Sequence, residues 1–135
     1  AMGILKHPDV YTAAVNGSGV TDWRHYDTIY TERYMSTPQL NPDGYDIGRA
    51  TREDYVKNFK DAGGHLLIMH GMVDDNVHPN NAFQLIDALD KGGAPYESRF
   101  FPNNGHGLGR GAGSTQWEFF DRVLQPQFRG RRISL

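Results

Sequence analysis

Short apolar runs alternate with stretches of helical periodicity along the chain. Residues 11–15 (YTAAV) and 96–101 (YESRFF) have the pattern of strands, and turn residues follow the first of them. Residues 65–69 (HLLIM) form a continuous apolar run between glycines, which is typical of a strand buried on both faces in a parallel sheet. The pattern therefore predicts three strands.

Helical periodicity separates these strands. Residues 80–91 repeat apolar side chains at helical spacing and end at two glycines, and residues 1–6 resemble the last turns of a helix. Further helices are predicted at 51–59 with Thr51 as the cap, at 115–124 and, in regular or irregular form, at 23–35, whereas 36–47 is predicted as a loop. Strands that alternate with helices indicate an α/β fold with a parallel sheet.

Composition narrows the classes of function. Fourteen Lys and Arg against 16 Asp and Glu give a formal net charge of -2, so there is no electrostatic case for nucleic acid or an anionic membrane surface. The absence of cysteine excludes disulfides and thiolate metal sites. No apolar run approaches the roughly 18 residues of a membrane helix. We expect no cofactor.

Polar loops follow the second and third predicted strands. Asp74 lies in the first loop, and His106 lies between two glycines in the second. Functional side chains of α/β sheets lie beyond the carboxyl ends of strands, and an acid followed by a histidine is the order of an α/β-hydrolase. We predict that Asp74 and His106 are the acid and base of a Ser-His-Asp triad. Two alternatives stay open: Asp74 and Asp75 cap the next helix, or His106 bonds to backbone.

Several segments resemble one family of peptidases. HGMVDDNVHPNNAFQLIDAL, DWRHYDTIYTERYM and NNGHGL are similar to the acid, substrate-pocket and histidine segments of the dipeptidyl peptidase IV branch of the prolyl oligopeptidase family. The opening AMGILKHPDVYTAAV resembles the helix and strand that follow the nucleophile there. The resemblance implies the C-terminal part of an α/β-hydrolase domain and cleavage of peptides after a proline-like residue.

The resemblance also implies roles for individual residues. Asp74 matches the triad acid and His106 the base, and Asn76 matches a side chain that contacts the carbonyl of the substrate's penultimate residue. The walls of the proline pocket correspond to Val20, Trp23, Tyr26, Tyr30 and Val77. Tyr30 would stack on the proline ring, and Tyr26 would share its helix face because the two are four residues apart. We assign Tyr34 to packing.

The nucleophile of such a peptidase is missing. No Gly-x-Ser-x-Gly motif occurs in the sequence, and the resemblance places it just ahead of Ala1. We therefore expect residues 1–125 to be a partial hydrolase domain that is inactive alone, followed by a tail at 126–135. The missing strands would be supplied by the rest of the domain or by self-association, as a dimer or by strand exchange. A periplasmic or extracellular compartment is implied by the resemblance alone.

Other functions remain as alternatives. The chain could be a small esterase that uses Ser18, which lies in a Gly-flanked turn, or a binding module that has lost its chemistry. A weaker alternative is a zinc site, for which histidines and carboxylates are suitable ligands. Its ligands would be His70, Asp74, Asp75 and His78.

Overall fold

The computed structural model describes residues 1–124 as helices packed around a parallel sheet. The strands are β1 (Ala13–Gly17), β2 (His65–Gly71) and β3 (Glu97–Phe101). The helices are α1 (Met2–Lys6), α2 (Thr28–Met35), α3 (Pro42–Ile47), α4 (Glu53–Ala62), α5 (Asn80–Gly92) and α6 (Arg110–Leu124), with a 3-10 helix at Trp23–His25. Within residues 1–124 no helix has the length and apolarity needed to span a bilayer. The predicted tail at 126–135 lies outside the described residues.

The three described strands are all parallel, in the order β1-β2-β3. Val15 pairs with Leu67, and Met69 pairs with Arg99. The carboxyl ends of β2 and β3 therefore lie side by side, with Gly71 opposite Phe101. The predicted α/β fold with parallel strands is confirmed, and the loops that carry Asp74 and His106 leave the same edge of the sheet.

Strand β2 is the centre of the hydrophobic core because both of its faces are covered. Leu66 and Ile68 pack against α1, α4 and α5, whereas Leu67 and Met69 pack against α6. The first cluster includes Ile4, Leu5, Val56, Phe59, Leu85 and Leu89, and the second includes Phe101, Ala112 and Phe119. The result is three layers, helix, sheet and helix, which explains the continuous apolar run of β2.

The prediction of a loop at 36–47 was wrong in its second half, where α3 forms. Asn41 caps this helix by accepting a hydrogen bond from the Gly44 amide at 3.2 Å, and Pro42 occupies the first turn. Both residues are helix-start signals as well as loop residues. The predicted cap of α4 was also wrong, since the cap position is Arg52 and Thr51 precedes it.

Other boundaries differ by smaller amounts. Helix α6 begins at Arg110, five residues earlier than predicted, and its first turns include Gly111 and Gly113. Strand β1 starts and ends two residues later than predicted. The helix predicted at 23–35 is divided into the 3-10 helix and α2, with two extended residues, Tyr26 and Asp27, between them.

We predict that Phe59→Ala lowers the free energy of unfolding by about 3–5 kcal/mol, the usual range for deleting a buried Phe. Phe59 is fully buried between α4 and the sheet, so the deletion leaves a cavity. Urea-induced unfolding would measure the change. The control is Phe83→Ala on α5, where the side chain is 44% exposed. Equal losses in the two variants would show that Phe59 is not part of the core.

Candidate active site

Asp74 holds a buried carboxylate in the loop after β2. Its side chain is inaccessible to solvent, and Oδ1 accepts hydrogen bonds from the backbone amides of Asn76 and Val77, each at 2.9 Å. Helix α5 begins only later, with Pro79 at its cap position and no side-chain cap. The alternative that the two aspartates cap α5 is therefore wrong: Asp74 organises the loop in which it lies.

His106 lies in the loop after β3 and contacts the same carboxylate. Its Nδ1 is 3.1 Å from Oδ2 of Asp74, and its side chain is 47% exposed. A carboxylate can only accept, so Nδ1 carries the proton and the neutral ring keeps its lone pair on Nε2. This arrangement lets an imidazole accept a proton at Nε2 while the carboxylate stabilises the resulting cation.

The pKa of Asp74 lies below its ordinary value. Burial acts in the opposite direction, because it favours the neutral acid. The amides of Val77 and Asn76 and the ring of His106 outweigh burial by donating hydrogen bonds to the charged form. Asp74 is therefore an anion at neutral pH, which is the state needed to fix the tautomer of His106.

The His106 loop is held by close backbone contacts. A Cβ placed on Gly71 would lie 2.2 Å from the carbonyl oxygens of both Asn104 and Gly105, so only glycine allows the loop to approach this closely. On the other side, the Ser18 hydroxyl donates to the main-chain carbonyl of His106 at 3.0 Å. Ser18 is buried in a left-handed conformation with φ of 47°. The Ser18 hydroxyl thus binds the backbone of the His106 loop and stabilises its position.

The four candidate zinc ligands do not converge. His70 is buried beside Asp74, whereas Asp75 is exposed and the ring of His78 accepts a hydrogen bond from the Asn80 amide at 3.1 Å. In the part of the chain that the structure describes, no group of three or more His, Asp or Glu is placed to hold a metal ion. The close pairing of His70 and Asp74 therefore needs another explanation.

Aromatic rings form a cluster near the acid loop, the segment between β2 and α5 that includes Asp74. Trp23 and Tyr30 are stacked with centroids 6.0 Å apart, and Tyr26 meets both edge-on at 6.1 and 5.5 Å. The prediction that Tyr26 and Tyr30 share a helix face was wrong, because Tyr26 is extended and precedes α2. The two rings meet because Asp27 caps α2 and turns the chain between them.

The remaining predicted pocket residues have different surroundings. The Tyr26 hydroxyl donates to Oδ1 of Asn76 at 2.8 Å and so joins the aromatic cluster to the acid loop. Val20 is half-buried, and Val77 is buried at the end of the acid loop. Tyr34, which we assigned to packing, is 69% exposed and touches the edge of the cluster through Tyr30.

Two sets of buried hydrogen bonds, which the sequence analysis missed, hold the segment between β1 and the 3-10 helix in place. Thr21 donates to Asn81 twice, from its amide to Oδ1 at 3.1 Å and from its hydroxyl to the carbonyl at 2.7 Å. Asn81 is fully buried at the start of α5. Asp22, also buried, accepts from the amide and guanidinium of Arg24 and begins the 3-10 helix that carries Trp23. The local Asp-x-Arg pattern was a visible signal, whereas the Thr21–Asn81 contact spans sixty residues.

Comparison with known proteins decides the family. Residues 1–127 match the prolyl oligopeptidase family. The chain belongs to this family. The α/β-hydrolase fold follows from solved members: a dipeptidyl peptidase 4 from Porphyromonas gingivalis superposes with a TM-score of 0.68 at 32% identity, over 87% of this chain and 16% of that one. The structure of a protein named "putative dipeptidyl aminopeptidase IV" from Bacteroides ovatus gives a TM-score of 0.81 at 28% identity, over 90% of this chain and 17% of the other.

Curated relatives are similar over about two thirds of the chain. Proteins named "Probable dipeptidyl-aminopeptidase B" are 48% identical over 90 residues in Fusarium vanettenii and 50% identical over 92 residues in Colletotrichum graminicola. Each alignment covers 66% of this chain. The chain corresponds to 9% of the length of these relatives.

We predict that Asp74 makes stability depend on pH. Its folded pKa is lowered, so its contribution to stability is complete above the unfolded value of about 3.9 and is lost as pH falls through the lower folded value. Asp74→Asn should therefore lower the free energy of unfolding at neutral pH and flatten its decline toward about pH 3. Urea unfolding across this range would measure both effects.

The matched control is Asp75→Asn, which changes the exposed neighbour. It should leave both the free energy of unfolding and its pH dependence near the wild-type values. If the free energy of unfolding of Asp74→Asn declined with falling pH as steeply as that of the wild type, the Asp74 carboxylate would not accept these hydrogen bonds.

Proposed function

We propose that this chain contributes the acid and base of a serine peptidase of dipeptidyl-peptidase type, which cleaves peptides after a proline-like residue. Asp74 is the acid and His106 is the base. The observation that carries the proposal is the hydrogen bond between the buried Asp74 carboxylate and Nδ1 of the exposed His106 ring. Membership of the prolyl oligopeptidase family supports the same chemistry.

The reaction follows from the direction of this hydrogen bond. Nε2 of His106 removes the proton of a serine hydroxyl as its oxygen attacks the scissile carbonyl, and the imidazolium then protonates the leaving amine. The Asp74 anion stabilises the imidazolium. Water attacks the acyl-enzyme in a second round of the same proton transfers, and this releases the acid product and restores the serine.

The aromatic cluster suits a proline side chain. The stacked rings of Trp23 and Tyr30 provide flat, rigid apolar walls for a compact ring. Val20 and Val77 would complete the walls. Oδ1 of Asn76 is engaged by the Tyr26 hydroxyl, which leaves the amide nitrogen of Asn76 to donate to a substrate carbonyl.

The nucleophile in this proposal comes from polypeptide ahead of Ala1, because the sequence contains no Gly-x-Ser-x-Gly. The rest of the hydrolase domain, or a second copy of the chain, would pair with the outer edges of β1 and β3. The reading frame preceding Ala1 tests this directly. If it encodes no Gly-x-Ser-x-Gly within a few residues, this part of the proposal fails.

We predict that the protein containing this chain and its preceding residues hydrolyses glycyl-prolyl p-nitroanilide. Asp74→Asn should lower kcat by about 10⁴-fold and His106→Ala by about 10⁶-fold, since each removes a triad function. Asp75→Asn is the matched control and should retain activity. Unchanged rates in the first two variants would exclude the proposed acid and base, and binding of the prolyl compound without turnover would favour a binding module.

The alternative of an esterase that uses Ser18 gives a separate expectation. The Ser18 hydroxyl is buried and donates to the His106 carbonyl, so we predict no p-nitrophenyl ester hydrolysis by the 135-residue chain above the level of Ser18→Ala. Hydrolysis that disappears in Ser18→Ala would instead establish Ser18 as a nucleophile. Ser98→Ala, on exposed β3 surface, controls for nonspecific effects of the substitution.

A further inference from the structure

A second imidazole lies against the Asp74 carboxylate, and the proposed mechanism does not use it. His70 is completely buried near the end of β2. Its Nε2 is 2.7 Å from the carbonyl oxygen of Val77 and 3.3 Å from Oδ2 of Asp74. Among residues 1–124, its other ring nitrogen, Nδ1, is buried without a hydrogen-bond partner.

These contacts determine where the proton of His70 lies. A carbonyl oxygen only accepts hydrogen bonds, so Nε2 must be the protonated nitrogen that donates to Val77. His70 is therefore a hydrogen-bond donor to the loop that carries Asp74.

The donor closes a ring of contacts around the carboxylate. Val77 donates its amide to Oδ1 of Asp74 and accepts from His70 at its carbonyl, and His70 Nε2 also lies beside Oδ2 of Asp74. The Val77 residue is thus held on both sides, and the carboxylate plane is fixed by it. Oδ2 is the oxygen left facing His106.

We propose that His70 is a positioning residue that fixes the Asp74 carboxylate so that Oδ2 holds His106 in the Nδ1-protonated tautomer. The inference deepens the proposed function and rests on it for its catalytic meaning. The geometry itself concerns only residues of this chain and can be tested without hydrolysis.

The competing explanation is that His70 only fills the core. Both explanations expect substitutions at His70 to reduce stability, so unfolding measurements do not separate them. They differ in the state of His106: a filler has no influence on its tautomer, whereas loss of a positioning residue releases the carboxylate and allows the ring to adopt the Nε2-protonated form.

The experiment is ¹⁵N NMR of the histidine rings in the 135-residue chain at a pH where His106 is neutral. Ring-nitrogen chemical shifts distinguish the two tautomers. We expect the Nδ1-protonated form in the wild type and a shift toward the Nε2-protonated form in His70→Leu. His70→Gln, whose amide reaches the position of Nε2, should restore the wild-type form, whereas the shorter His70→Asn should not.

The matched control is His65→Leu, the same change at an exposed position of the same strand, which should leave the His106 tautomer unchanged. A wild-type tautomer in folded His70→Leu would overturn the proposal, and so would an Nε2-protonated His106 in the wild type. If His70→Leu does not fold, the Gln and Asn variants decide: a difference between them supports positioning, and identical tautomers refute it.

The two proposals fail in different ways. A peptidase assay that shows no turnover would leave the tautomer result intact and remove only its catalytic meaning. If the tautomer does not respond to His70 while Asp74→Asn still abolishes hydrolysis, the proposed function stands and the role of His70 is refuted.

Discussion

A buried carboxylate must be surrounded by hydrogen-bond donors, and the carboxyl edge of this sheet is built around that requirement. An ionised group without such donors would be too costly to bury. Two amides of its own loop satisfy Oδ1 of Asp74, and His106 and His70 approach Oδ2. The loop after β2 is therefore held in place by hydrogen bonds to a charged group. The loop after β3 is joined to it through the imidazole of His106.

The parallel register of β2 and β3 provides the geometry for this arrangement. Gly71 pairs with Phe101, so both polar loops begin at the same level of the sheet. The aromatic segment reaches the same region from β1, where Thr21 is bound to Asn81 and Tyr26 to Asn76. Three segments distant in sequence thus meet at one edge, although each is anchored by only a few polar contacts.

Features governed by local periodicity could be predicted from the sequence. β2 was recognisable because a strand covered by helices on both faces is apolar throughout, and α5 because its apolar spacing ends at glycine. The pairing of an acidic loop with a histidine loop followed from strand order. The family resemblance added the aromatic residues, and their rings do form one cluster.

Features set by contacts between distant residues could not be predicted. The buried Asn81 resembles any polar residue at the start of a helix until its bonds to Thr21 are seen. Ser18 drew attention as a nucleophile because it lies between glycines, yet its partner is a main-chain carbonyl 88 residues away. Asn41 and Pro42 were ambiguous for a different reason, since the same residue types begin helices and form loops.

The close approach at Gly71 limits how this edge could be redesigned. Backbone carbonyls of the β3 loop occupy the space that a side chain would take at that position. The backbones of the two loops are therefore in direct contact, with no side chain between them. A new acid loop or a new histidine loop could not be grafted separately without altering the separation of carboxylate and imidazole. Exchange between related hydrolases would have to move the β2 terminus and both loops together, as one cassette.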